Sequence, residues 1–232
     1  MYNPGLSEII HVKIREKLLI IICSHELNSI WINNIKILDN YMKLQNFDVD
    51  YCGISNQDDF DNYKDIINFK YKIINNKQQF SKICDFITDY KSELNYDWYM
   101  KIRPDIKLLE NINFSVLSEN AINARARVYY GPRQIIYGIS VNGKGCWEEI
   151  GDCYYDNHEH NIILDDMLFI FHNNIILKNA FNKIDIPDYI NQSEWVQTIT
   201  FNARWINLNV IGINLENTKY NAFSGNININ IN

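Results

Sequence analysis

Seven consecutive residues constrain this chain more than any other stretch: Lys17, Leu18, Leu19, Ile20, Ile21, Ile22 and Cys23. An unbroken apolar run of strand length has no polar side to offer water. It suits a strand covered on both faces, as in a parallel sheet between helices. The run ends in Ser24, His25, Glu26, Leu27, Asn28 and Ser29, a polar loop rich in helix-capping residues. Residues 30–44 then carry Trp31, Ile32, Ile35, Leu38, Tyr41 and Met42 at helical spacing, and residues 47–54 alternate as a second strand. The first 54 residues therefore read as β-α-β, with a helix long enough for a right-handed crossover.

A second unit follows. Residues 56–76 are polar and acid-rich at first (Asp58, Asp59, Asp61) and alternate only weakly around Ile73 and Ile74. Residues 78–94 form an amphipathic helical pattern through Phe80, Ile83, Cys84, Ile87, Tyr90 and Leu94, which leads into a third strand at Tyr96. Along that strand Trp98, Met100 and Ile102 point one way, and Tyr99, Lys101, Arg103 and Asp105 the other. Pro104 has no N–H for a ladder, so regular pairing stops there. Two cations and a carboxylate on one face need partners if buried. An ion pair at a strand tip, a phosphate, or a metal-bound diphosphate would each supply them. Three parallel strands place Ser24, His25, Asn56 and the Arg103–Asp105 tip at the carboxyl edge of the sheet, where open α/β sheets bind ligands.

After Glu110 the pattern is mixed. Residues 113–123 suggest a short helix, 124–130 and 133–141 strands, and Asn142 to Gly145 a hairpin turn that lacks the spacing of a phosphate-binding loop. Asp165 and Asp166 lie together inside the apolar stretch 162–171. Short helices are expected over 175–184 and from Ser193 to about Trp205, a last strand over 209–214, and a loose tail over 215–232. No linker-like composition divides the chain. The expectation is one α/β domain over 1–232, with a mostly parallel central sheet flanked by helices, a nucleotide-binding half at about 17–110 and a smaller mixed half at about 111–214.

At 232 residues with 47% hydrophobic and 22% charged residues, the chain has the composition of a folded domain with a sizeable core. A net charge of −6 argues against a nucleic-acid partner. The five cysteines, Cys23, Cys52, Cys84, Cys146 and Cys153, form no CxxC pair, which points to free thiols and a reducing, cytoplasmic compartment. Residues 1–16 read as a leader without the features of a signal peptide, and no apolar run is long enough for a transmembrane segment.

The β-α-β-α-β start, the Arg-x-Asp tip on the third strand, the internal acidic pair and a late helix opening with Ser193, Glu194 and Trp195 together resemble the GT-A glycosyltransferases. Lys101, Ile102, Arg103, Pro104 and Asp105 look like the K-I-R-x-D form found in some bacterial and large-virus polysaccharide enzymes, in the place of the family's Asp-x-Asp motif. The resemblance covers most of residues 17–213 in order and spacing. It implies a GT-A-like, Rossmann-like fold that takes a nucleoside-diphosphate sugar donor and a glycan or sugar acceptor. Ser24, His25, Asn56, Lys101, Arg103 and Asp105 would bind the donor, and Glu194 would lie on the acceptor side. Arg103 stands where the family has its first carboxylate. Either Asp105 alone anchors Mn²⁺ or Mg²⁺, with diphosphate oxygens and waters completing the shell, or Lys101 and Arg103 neutralise the diphosphate without a metal.

Glycosyl transfer needs charge stabilisation of the leaving nucleoside diphosphate and deprotonation of an acceptor hydroxyl. Asp105 with Arg103 answers the first need. Asp166 or Asp165 answers the second in an inverting reaction, and strand alternation lets only one of them face the cleft, Asp166 being the choice. The structural alternative for the pair is a helix N-terminus. Capping alone would explain Ser24, His25 and Glu194, and His158, Glu159 and His160 read as surface residues rather than a zinc site. Arg125, Arg127 and Arg133 could grip phosphate or remain solvated. Two rival functions stand beside glycosyl transfer: a sugar-phosphate nucleotidyltransferase, disfavoured because the loop after the first strand has no glycine, and a non-catalytic nucleotide- or carbohydrate-binding module.

Overall fold

The computed structural model describes residues 15–130, 160–184, 193–219 and 222–224. Its frame is a seven-stranded sheet built from β1 (Glu16–Cys23), β2 (Phe47–Ser55), β3 (Phe69–Ile74), β4 (Trp98–Ile102), β6 (Ala121–Tyr130), β7 (His160–His172) and β8 (Asn207–Val210). The order is β3-β2-β1-β4-β7-β6-β8. The pairs β2–β3, β1–β2, β1–β4 and β6–β8 are parallel, while β7 runs antiparallel to both β4 and β6. This is the expected mostly parallel α/β sheet, of Rossmann-like type. A small sheet, β10-β9-β5, joins β5 (Ile106–Leu108), β9 (Leu215–Asn217) and β10 (Ala222–Ser224) beside it.

The apolar run of β1 explains the layering. Leu19, Ile21 and Cys23 point into one core with α2 (Gln79–Asp89), α3 (Asn173–Leu177) and α4 (Ser193–Ala203). Leu18, Ile20 and Ile22 point into a second core with α1 (Ile32–Leu44) and the small sheet. All six are fully buried, so neither face of β1 can be polar. β4 divides in the same way: Trp98, Met100 and Ile102 face the α1 layer, and Tyr99 faces the opposite one, stacked on Phe171 at 5.0 Å.

Several elements differ from expectation. β3 is an edge strand; its inward residues alternate with Lys70, Lys72 and the exposed Ile74, too weak a pattern to read without its neighbour β2. Within 113–123 the chain makes only a 3₁₀ turn at Phe114–Val116 before β6 begins at Ala121. The helix expected over 175–184 is the shorter α3, and the last large-sheet strand is Asn207–Val210 rather than 209–214. Residues 215–217, expected to begin a loose tail, form β9 and pair with β5. The strand expected over 133–141 and the turn at 142–145 lie outside the described residues. Among the described residues no helix is long and apolar enough to cross a membrane. Cys23, Cys52 and Cys84 are buried thiols.

Candidate functional site

The parallel strands β1, β2 and β4 deliver Ser24, Asn56 and Arg103 to one edge of the sheet, and antiparallel β7 brings Asp165 and Asp166 to the same edge. β4 ends in a tight turn: the Ile106 N–H donates to the Arg103 carbonyl at 3.2 Å, with Pro104 at the turn position its ring favours. The turn is pinned from two sides. The Asn34 amide on α1 donates to the Pro104 carbonyl and to Thr218 Oγ1, both at 3.0 Å, while the Thr218 N–H and hydroxyl each donate to the Asp105 carbonyl at 2.9 Å. Neither Asn34 nor Thr218 is legible as a site residue from sequence, because each acts through contacts with segments distant along the chain.

Within the turn Arg103 and Asp105 form a two-point pair, Nε to Oδ1 at 2.9 Å and an Nη to Oδ2 at 2.6 Å. The other Nη lies 3.6 Å from an Asp166 carboxylate oxygen. Burial works against the guanidinium charge, but the Asp105 hydrogen bonds and the nearby Asp166 and Asp165 carboxylates more than offset it and hold Arg103 protonated. The Arg103 side chain keeps 18% of its surface exposed, so it is the cation of this cluster that solvent and a ligand can reach.

The acidic pair sits in a bulge, not at a helix start. The β6–β7 register jumps from Ala124 opposite Phe169 to Ala126 opposite Leu164, so β7 carries extra residues between those points. Strict alternation fails there, and Met167 and Leu168 both enter the same core. Both carboxylates are buried, Asp165 at 0% and Asp166 at 5% exposure, and they turn to different cations. Asp165 lies 3.8 Å from Arg125 of β6 and accepts from the Met167 N–H, whereas Asp166 faces Arg103. Helix α4 braces the bulge: Gln197 donates to the Leu164 carbonyl at 3.0 Å, and Thr198 accepts from the Leu164 N–H at 3.1 Å.

Lys101, expected on the donor side, is instead buried beneath the site. Its ammonium donates to the Asp166 carbonyl, which the bulge releases from the ladder, and to Gln79 Oε1 at 3.0 Å. Desolvation lowers its pKa against the opposing pull of Asp166. A second lysine, Lys82 of α2, is fully buried behind β1 and β2; its ammonium donates to the Ser24 carbonyl and to Asn56 Oδ1, each at 2.5 Å. Cys23 lies between these lysines, yet burial pushes its thiol up to about 11, which removes it as a nucleophile at neutral pH.

At the strand ends Ser24 is buried, Asn56 half-buried and His25 exposed. The Ser24 N–H donates to the Ile54 carbonyl and the Asn56 N–H to the His25 carbonyl, which ties the two loops together. Glu194 lies in the first turn of α4 with its side chain outside the described residues, as are His158, Glu159 and Arg133. The structure thus brings together Ser24, His25 and Asn56 in one group and Arg103, Asp105, Asp165 and Asp166 in another along the same edge.

Both Asp105 oxygens accept from Arg103, so a Mn²⁺ or Mg²⁺ anchored on Asp105 would share that carboxylate with the guanidinium and draw its remaining ligands from diphosphate oxygens and waters. Among the described residues no group of three or more His, Cys, Asp or Glu is placed to hold a metal ion.

No protein-family model matches the chain, and no curated protein matches it. Among solved structures it is similar to a protein from Bacillus anthracis assigned as a glucose-1-phosphate thymidylyltransferase, crystallised in complex with a sucrose. The two are 8% identical, the match covers 87% of this chain and 89% of that one, and the TM-score is 0.49. The α/β class of this chain rests on its own sheet topology.

Proposed function

We propose that this chain is a transferase acting on a nucleoside-diphosphate sugar, with glycosyl transfer to a glycan or sugar hydroxyl as its reaction. The observation that carries the reading is the convergence of a ligand-accessible guanidinium and a buried carboxylate pair at the carboxyl edge of three parallel strands. Ser24, His25 and Asn56 line the nucleoside side. Arg103 meets the diphosphate: of its five N–H donors two are spent on Asp105, and the exposed part of the fork is free to bind phosphate oxygens as they gain charge on departure. Asp105 holds the guanidinium in place rather than holding a metal. Asp166, the more exposed of the pair, takes the proton of the acceptor hydroxyl, and Asp165 stays on Arg125. Glu194 is assigned to the acceptor side through the resemblance alone.

A sugar-phosphate nucleotidyltransferase would use the same edge and shares its name with the structural relative, whose likeness does not decide between the two. The loop Ser24 to Leu27 contains no glycine, which favours glycosyl transfer. One assay separates them. Incubation with a panel of nucleoside-diphosphate sugars should release nucleoside diphosphate, and incubation with nucleoside triphosphates and sugar 1-phosphates should release no pyrophosphate. Pyrophosphate release would establish the nucleotidyltransferase instead, and nucleotide binding without either product would leave a binding module.

A further inference from the structure

Lys82 is a buried cation that the proposed chemistry leaves unused. It sits on α2 with 0% exposure, and its hydrogen bonds go to the neutral Ser24 carbonyl and Asn56 Oδ1 rather than to a carboxylate. A fully buried ammonium held by two neutral oxygens is costly, and desolvation depresses its pKa. A Met of similar volume would fill the space without a buried charge, leaving the two oxygens without that donor. The placement of those two oxygens suggests what the cation does. They lie at the ends of adjacent strands β1 and β2, on the two loops that form one flank of the site.

An ammonium has donors and no acceptor, so the Asn56 atom that faces it must be the oxygen. The amide is therefore locked with Nδ2 turned outward, 3.5 Å from the Nδ1 of exposed His25. Without Lys82 the amide could flip and present either end.

We propose that Lys82 is a positioning residue that forces Asn56 to present N–H donors at the site, so that the site selects an acceptor oxygen on the nucleoside, such as a base carbonyl. This rests on the reading of the edge as a nucleotide site. Lys82 touches no ligand itself; it acts through Asn56 and the Ser24 main chain.

The test measures binding and melting together. UDP, dTDP, CDP, GDP and ADP are titrated into the wild-type chain, and the tightest is carried forward. For Lys82→Met the expected result is a dissociation constant at least tenfold weaker, with a melting temperature within a few degrees of wild type because the lost buried charge offsets the lost hydrogen bonds. Asn56→Asp, which still accepts from Lys82 but has no donor, should weaken binding to the same degree without lowering the melting temperature. The double variant should be no worse than either single one. Inorganic pyrophosphate should bind all variants equally, because the selected oxygen belongs to the nucleoside. A Lys82→Met protein that melts lower and binds normally would show a purely structural lysine and overturn the proposal, as would unimpaired binding by Asn56→Asp or a loss of pyrophosphate binding. If the wild type binds none of the five nucleotides, the nucleotide reading itself fails and takes this proposal with it. Normal binding by the variants alone leaves that reading standing.

Discussion

Replacing Asp105 by Asn keeps the side-chain volume but removes its charge and turns one acceptor into a donor facing the guanidinium. If Asp105 exists to hold Arg103, the cost is that of breaking a buried ion pair. The side chains are 18% and 4% exposed, and the pair makes two short hydrogen bonds. Removing one partner of such a pair costs about 3–5 kcal/mol. The low end applies, about 3 kcal/mol, because Asp166 at 3.6 Å still faces the guanidinium and part of Arg103 reaches water. For a chain of this length that corresponds to a fall in Tm of about 6–12 °C. Arg103→Met leaves the Asp105 and Asp166 carboxylates buried without their shared cation and should cost as much or more. The double variant should be less destabilised than the sum of the singles by about 2 kcal/mol, the signature of direct coupling. Thermal melts of the four proteins at neutral pH supply all the terms. An Asp105→Asn protein that melts within about 2 °C of wild type, with additive effects in the double variant, would refute the pairing argument.

Other consequences are simpler. A Cβ added at Gly53 would lie 2.8 Å from the Phe60 ring and 3.0 Å from Phe69, so Gly53→Ala should cost about 1–3 kcal/mol by overpacking, read as a lower denaturation midpoint with unchanged slope. The Tyr99 hydroxyl is buried with the Tyr96 main chain as its polar neighbour, so Tyr99→Phe should leave the Tm within a few degrees of wild type while keeping the stack on Phe171. Burial depresses the pKa of Lys82 and of Lys101 below the ordinary lysine value of 10.5. Between the folded and unfolded pKa the unfolded chain binds more protons, so stability rises with pH across that window. The melting temperature of wild type relative to Lys82→Met should therefore increase as pH is raised from 7 towards 10; a constant difference would show that the ammonium carries no burial cost.

The parts of the fold legible in sequence were those dictated by local pattern. The run Leu18 to Cys23 announced a doubly covered strand, and Pro104 announced where β4 stops. What escaped was set by contacts between distant segments. β3 is polar on its outer side and forms only because β2 offers it a ladder. Residues 215–217 look like a tail until β5 pairs with them, and Thr218 then grips the Arg103–Asp105 turn from 113 residues away. The site showed the same division. The edge position of Ser24, Asn56, Arg103 and Asp105 followed from counting β-α units. The expectation that only one of Asp165 and Asp166 faces the cleft relied on regular alternation, which a bulge cancels, and both are buried on separate arginines. Lys101 follows alternation correctly, but the layer it enters is closed by α2 and β7, so it supports the site from below. Lys82 had no signal at all; a lysine in an amphipathic helix reads as a solvated side chain until the strand ends behind it are known.

The most direct measurement of the central claim is calorimetric binding of the tightest nucleoside-diphosphate sugar in EDTA and in Mn²⁺, to wild type and to Arg103→Met. Wild type should bind with the same affinity in both buffers, and the variant should lose about 1.5–3 kcal/mol, roughly ten- to 150-fold, as expected for hydrogen bonds from a charged donor. Binding that appears only with Mn²⁺, or that is indifferent to Arg103, would contradict that claim.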